Sequence, residues 1–143
     1  MPKTLSQMEL LLNYLNGFGR MSTELEARVL GALEFIKRSK KDFFLREGEI
    51  NTHIYFLLSG LVRIYHLTFD DKEVTSWLLK EGNIFISVYS FFQQEPSFEN
   101  IVALEDCPTC IISLRAMIVR WRSMILPRQR SFAWEAIRRD RRL

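Results

Sequence analysis

The chain has 143 residues, of which 48% are hydrophobic and 26% charged, with a formal net charge of +3. That is about one domain's worth of chain, long enough to bury a core without staples. Eleven Phe, four Tyr and three Trp exclude a globally disordered chain. No apolar run approaches the roughly 18 residues needed to cross a bilayer. The start, MPKTLSQMELLLNYLNGF, lacks the long apolar stretch and small-residue cleavage site of a signal peptide, so cytoplasm is the expected compartment. Charge is unevenly placed. Residues 1–114 hold 11 Lys or Arg against 15 Asp or Glu, whereas 115–143 hold nine Arg against Glu135 and Asp140. A basic tail can approach phosphate nonspecifically, and it can equally be a solvated helix face.

In chain order, residues 1–42 read as helices. Leu11, Leu12 and Leu15 share one side of a short helix that Gly17 and Gly19 would stop. Thr23 with Glu26 fits a capping box, and Leu25, Val29, Leu33 and Ile36 follow at helical spacing. Residues 43–114 change character. Short runs rich in β-branched and aromatic residues are broken by turn formers at fairly even spacing. The runs are FFLREGE, IYFLLSG, LVRIYHL, EVTSWLL, IFISVYSFF, FENIVALE and CIISL. Gly48, Gly60 and Gly82 fall at the turns, and FDDK (69–72) is polar enough to reverse the chain. Six to eight strands without crossover helices exclude a parallel βαβ sheet. A sandwich, jelly roll or small barrel remains, so the fold class is mainly β. Residues 115–143 turn helical again. Met117, Ile118, Trp121, Met124 and Ile125 form an apolar stripe, which Pro127 interrupts or ends.

Few residues point to catalysis. The pair Cys107 and Cys110 is spaced CPTC, which suits a redox pair or half a metal site. It precedes the strand-like IISL rather than a helix, and a zinc site would need two more soft ligands. His53 and His66 form no H-x-H pair, so a cupin-type metal enzyme would need Glu49 or another carboxylate to converge with them. No G-x-S-x-G, H-E-x-x-H or glycine-rich phosphate loop occurs. The expectation is no enzyme, no metal and no cofactor.

The segments LREGE (45–49), IYFLLSGLVRIY (54–65), LLKEGNIF (78–85) and IVALEDCPTCIISL (101–114), with their three glycines, carry a family likeness. The chain resembles the sensor domain of the cyclic AMP receptor protein and FNR-type transcription regulators. The resemblance implies a double-stranded β-helix jelly roll with a cyclic nucleotide pocket between its sheets. It also implies a phosphate-binding cassette, a short helix following a motif close to F-G-E-L and completed by R-S/T-A. Here the first part falls on Phe85, Ile86, Ser87 and Val88, so Ile86 replaces the glycine and Ser87 the ribose-binding glutamate. The second part falls on Ser97, Phe98 and Glu99, so Ser97 replaces the phosphate-binding arginine. No Lys or Arg occurs anywhere from 81 to 114.

The reading that follows is a cytoplasmic regulatory domain that senses an unknown small molecule and does not take cyclic AMP. Its expected pocket comprises Phe85, Ile86, Ser87, Val88 and Tyr89, with Ser97 across the cleft and Tyr65 and Trp77 on one wall. By the resemblance, the stripe from Met117 to Ile125 pairs two copies into a dimer, and DNA is read only through a further C-terminal domain. Two other readings stand beside it: a ligand-free structural or dimerisation module, and the cupin-type enzyme. An iron–sulfur sensor needs four thiolates and finds two.

Overall fold

The computed structural model describes residues 22–116 and, before them, Glu9, Leu11 and Asn13. The stripe of Met117, Ile118, Trp121, Met124 and Ile125 lies outside the described residues. Helix α1 (Thr23–Ala32) carries Glu24 and Glu26 in its first turn, where carboxylates offset the helix dipole. Arg28 reaches back one turn to Glu24 at 2.8 Å.

The helical reading of 33–42 is corrected by the structure. Glu34–Arg38 form strand β1, paired antiparallel with β8 (Cys107–Ser113) over five residues. The reason is an ambiguity of period. Leu33 and Ile36 suit a helix, but Glu34, Ile36 and Arg38 also alternate with Phe35 and Lys37. Ladder hydrogen bonds to β8, together with burial of Ile36 against the core, decide for the strand. The β body therefore begins at residue 34 rather than 43.

The remaining strands are β2 (Phe43–Leu45), β3 (His53–Leu57), β4 (Leu61–Leu67), β5 (Glu73–Lys80), β6 (Ile84–Phe85) and β7 (Glu99–Ala103). They build two four-stranded antiparallel sheets, ordered β1-β8-β3-β6 and β2-β7-β4-β5. Side chains alternate across each strand, which sorts the residues into layers. Tyr55, Leu57, Val62, Ile64, Ile101 and Ala103 face the space between the sheets and form the main core with Phe44 and Phe85. Leu57, Val62 and Ile101 are fully buried, and each contributes about 1.5–3 kcal/mol by leaving water. The opposite face of the first sheet holds Phe56, Leu58 and Cys110, covered by Leu11 from the N-terminal segment.

Gly48, Gly60 and Gly82 all turn at positive φ. At Gly60 the requirement is doubled. A Cβ there would sit 2.6 Å from the Asp106 carbonyl oxygen and 2.7 Å from the Cys107 sulfur. The β4–β5 reversal closes with Thr68 N–H donating to the Lys72 carbonyl, and Thr68 Oγ1 donating to Asp70 at 2.6 Å.

Candidate functional site

Strand β6 has only two residues before the chain leaves the sheet and forms helix α2 (Val88–Gln93). The run IFISVYSFF therefore does not continue as the strand its composition suggests. An uninterrupted apolar run does not distinguish strand from buried helix. Here Asn51 decides. Its Oδ1 accepts the Ser87 N–H at 2.7 Å, which removes that donor from any strand ladder. The chain turns at Ser87 (φ −82°, ψ 103°), and Phe91 N–H then bonds back to the Ser87 carbonyl at 2.8 Å. Helix α2 buries Ser90 and Phe91, and Phe91 packs with Ile54, Ile86, Phe92 and Leu114.

Asn51 is fully buried and uses every polar group it has. Its N–H donates to Ser90 Oγ (2.8 Å) and its Nδ2 to the His53 carbonyl (2.8 Å). Its own carbonyl accepts from Gln94 Nε2 at 3.0 Å. Three of its four hydrogen bonds thus hold the cassette helix or its immediate flanks.

On the other side of the cassette lies a second buried network. Ser87 and Ser97 are 0% and 3% exposed, and their hydroxyl oxygens are 3.0 Å apart. Ser87 Oγ is 3.1 Å from Glu99 Oε2, and Glu99 N–H donates to Ser97 Oγ at 2.9 Å. Each serine has one proton to give. The assignment that serves the carboxylate runs from Glu99 N–H to Ser97, from Ser97 to Ser87, and from Ser87 to Glu99 Oε2. The Ser97 contact to the Glu99 carbonyl at 2.9 Å competes for the same proton. Ser87 spends its hydroxyl here, so it makes no side-chain cap on α2.

The rim is aromatic and acidic. Phe98 is 52% exposed and stands between Tyr89 (5.9 Å between ring centres) and His66 (6.4 Å). Tyr89 OH donates to Glu95 Oε2 at 2.5 Å, and that bond raises the phenol's pKa above its usual value. Arg63 on β4 points away from the inter-sheet space. It is held there by Glu73 at 2.7 Å and Thr75 at 2.9 Å, with its guanidinium 4.3 Å from the Tyr65 ring centre.

The family model for the cyclic nucleotide-binding domain matches residues 35–119, which spans both sheets and the cassette. The chain belongs to the cyclic nucleotide-binding domain family. No curated protein matches it by sequence. Among solved structures it is similar to the sensor domain of the transcriptional regulator DNR from Pseudomonas aeruginosa. The identity is 21% and the TM-score 0.66, covering 82% of this chain and 81% of that one. It is also similar to cAMP-bound PfPKA-R (16% identity, TM-score 0.72, 83% of this chain and 43% of that one). A third is the regulatory subunit of a cAMP-independent protein kinase A from Trypanosoma cruzi, bound to guanosine. There the identity is 15% and the TM-score 0.67, over 82% of this chain and 42% of that one. The chain thus spans less than half the length of both kinase regulatory chains. These relatives are regulatory and sensor domains rather than enzymes.

As a cyclic nucleotide-binding domain, the chain places its sequence-predicted residues unevenly. Phe85 is 3% exposed, stacked on Tyr55 (5.1 Å, 14°) and edge-on to Phe44 (5.1 Å), so it fills the inter-sheet space. Ile86 is half-buried beside Phe91, whereas Val88 and Tyr89 are exposed. Ser87 and Ser97 meet directly. Trp77 lies opposite Ile64 in the β4–β5 register and is 63% exposed. Tyr65 is a correction. Strand alternation with the buried Val62 and Ile64 puts it on the outer face, across from Asn100, where it stacks under Arg63.

Asn51 and Glu99 carry the cassette's polar order, and sequence reasoning did not give Asn51 a role. The available signal was Ser87, Ser90 and Ser97 in apolar text without charge, since buried hydroxyls require partners.

The two cysteines occupy opposite faces of β8. Cys107 lies in the main core and Cys110 in the outer cluster. Three strand residues span roughly 10 Å, beyond the reach of a disulfide. Burial raises the Cys107 thiol's pKa. Among the described residues, no three His, Cys, Asp or Glu side chains converge on a metal position. Glu49 is turned to its own loop, where it accepts from Arg46 N–H. An open cavity of about 590 Å³ lies at the hairpin end of β4. Glu47, His66, Leu67, Thr68, Phe69 and Asp71 line it, and His66 is its link to the rim. No helix among the described residues is long and apolar enough to cross a membrane.

Proposed function

We propose that the chain is the ligand-sensing domain of a Crp/Fnr-type transcription regulator, that it works without catalysis in the cytoplasm, and that it does not take cyclic AMP. The carrying observation is the cassette itself. By the family resemblance Ser97 stands where the phosphate-binding arginine would be, and it is buried and engaged with Ser87 and Glu99. A cyclic phosphate bears a full negative charge. Moving it out of water costs several kcal/mol unless charged or dense donors replace its hydration. This cassette offers no cation between residues 81 and 114, and it adds the Glu99 carboxylate. The guanosine-bound, cAMP-independent kinase subunit supports a ligand without phosphate charge on this fold.

Calorimetric titration with cyclic AMP and cyclic GMP tests the reading. No saturable binding is expected, and a dissociation constant below about 10 µM for either would overturn it.

Dimerisation through residues 113–137 and DNA contact through a separate domain complete the proposal. Light scattering at micromolar protein should then give twice the 17.0 kDa chain mass. A second reading, a ligand-free structural module, is favoured by one observation. Phe44, Tyr55 and Phe85 close the inter-sheet space with their own rings. A native-state spectrum unmoved by any small molecule would select that reading.

A further inference from the structure

We infer that strand β5 is a pairing edge, by which two copies of this chain join β5 to β5, antiparallel, and merge their second sheets into one. The inference goes beyond the sensor reading and does not depend on it.

An open edge is the first observation. In the order β2-β7-β4-β5, strand β5 pairs with β4 on one side, and no strand among the described residues takes the other. Its outer edge therefore presents unpaired N–H and C=O groups, a template for another strand. At eight residues β5 is the longest of the four edge strands; β1 has five, β2 three and β6 two. Edges are usually guarded by charge or proline, as Lys37 and Arg38 guard β1. Between Val74 and Leu79, β5 has neither. It is exposed along nearly its whole length, with Val74, Trp77 and Leu78 open to water.

The facing of its side chains selects the partner. Glu73, Thr75, Leu78 and Lys80 lie across from Leu67, Tyr65, Arg63 and Leu61, on the outer face of the sheet. Val74, Trp77 and Leu79 lie across from His66, Ile64 and Val62, on the inner face. Ser76 is the extra residue of a bulge, and its Oγ is 3.3 Å from His66 Nδ1, which puts it on the inner face too. Read from either end, the strand runs outer, inner, outer, inner, inner, outer, inner, outer. Directly opposed residues of an antiparallel pair share a face. A strictly alternating eight-residue strand cannot meet itself end to end, because its first and last residues face opposite ways. The bulge removes that conflict. Glu73 then falls opposite the second copy's Lys80, and likewise Val74 with Leu79, Thr75 with Leu78 and Ser76 with Trp77. A slip of one residue sets outer side chains against inner ones at nearly every position. Charge agrees with this register. Lys80 makes no ion pair among the described residues, and Glu73, which holds Arg63 at 2.7 Å, keeps about half its side chain open. The Lys80 carbonyl is held by Asn83 at the turn, so Lys80 serves the pairing with its ammonium.

Cysteine cross-linking in the full chain tests the register. In Thr75→Cys/Leu78→Cys the two new thiols lie three residues apart along one strand, too far to join. Across the pair they are directly opposed, about 5 Å apart at Cα, within reach of a disulfide. Mild oxidation should link most chains into closed dimers. Thr75→Cys/Lys80→Cys carries the same chemistry out of register and should link at least tenfold less. Cross-linking that is absent from the first variant, or equal in the two, would overturn the inference. An edge contact buries less than a standard interface, so pairing is expected at roughly 100 µM. Sedimentation equilibrium from about 5 to about 500 µM should show the mass at least doubling. Lys80→Glu should move that rise to at least tenfold higher concentration, and Lys80→Arg should keep it. A mass constant over this range, or a rise that Lys80→Glu leaves in place, overturns the inference as well. Pairing through residues 113–137 sets the mass at the low end and not the rise, so its failure is read separately.

Discussion

Replacing Asn51 by alanine should be the most damaging polar substitution in the described region. The side chain makes two hydrogen bonds, from Ser87 N–H to Oδ1 and from Nδ2 to the His53 carbonyl. Ser87 is fully buried, so its N–H loses its partner with no water at hand. A buried donor left unmade costs about 1–3 kcal/mol, and loss of the second bond adds about 1 kcal/mol. The two backbone bonds of residue 51, to Ser90 Oγ and from Gln94 Nε2, do not depend on its side chain. The expected loss is therefore roughly 2–4 kcal/mol, which for a domain of this size lowers the melting temperature by roughly 10 °C. Thermal unfolding followed by circular dichroism measures it. Asn83→Ala serves as the comparison. Its Nδ2 bond to the Lys80 carbonyl lies at an exposed turn, and its removal should cost less than about 1 kcal/mol. Hydrogen exchange gives the local readout, because the Ser87 amide should lose protection in Asn51→Ala beyond the global change. A melting temperature within about 2 °C of the parent chain would refute the claim that Asn51 holds the cassette.

Gly60→Ala should be worse than Gly48→Ala. Both positions pay about 1–2 kcal/mol for positive φ, but only at Gly60 does the new methyl strike Asp106 and Cys107, adding about 1–3 kcal/mol. Equal chemical-denaturation midpoints for the two variants would contradict this. Neither Cys107 nor Cys110 should react with a thiol reagent until the chain unfolds, because both are buried and the Cys107 thiol is pushed up. Labelling of both in the native state within minutes would refute the buried placement. Burial raises the Tyr55 phenol from 10.0 to about 12. A folded value above the unfolded one means that its contribution is fully present below pH 10 and is lost as pH rises from about 10 to 12. Spectrophotometric titration should thus find Tyr55 ionising late, and Tyr55→Phe should remove that late step and flatten the alkaline part of the stability curve.

How far the sequence reaches depends on what kind of force places each residue. Strand β4 is visible in advance because Val62 and Ile64 alternate with Arg63 and Tyr65, and burial follows that alternation. The same alternation puts Tyr65 on the outer face beside Arg63 rather than on a pocket wall. Strand β1 was hidden because Leu33 and Ile36 satisfy two periods at once, and only pairing with β8, some seventy residues away, decides between them. Helix α2 shows the opposite limit. Its run IFISVYSFF has no local marker of helix, and the bond that bends it comes from Asn51, 36 residues upstream. The absence of a phosphate-binding cation was legible, being a plain absence of Lys and Arg. The polar groups that take its place were not, because serine and asparagine disclose their role only through the partners that folding brings to them.

The cassette keeps its shape here by internal means. Where a bound anion would draw donors toward itself, this chain supplies its own acceptors: Asn51 Oδ1 for the Ser87 N–H and Glu99 Oε2 for the Ser87 hydroxyl. Both bonds run between groups of the chain itself, so the order of the cassette rests on its own side chains. A ligand can shift an equilibrium only by the difference in its affinity for two states. In this chain that difference must come from groups left exposed at the rim, which are the Phe98 and Tyr89 rings. Leu114 is where such a shift would leave the domain. Its side chain packs on Phe91 of α2, and its N–H bonds to the Thr52 carbonyl at 2.7 Å, next to Asn51. Movement of α2 relative to β3 would therefore be felt first at the residue from which the chain continues into its arginine-rich C-terminal segment.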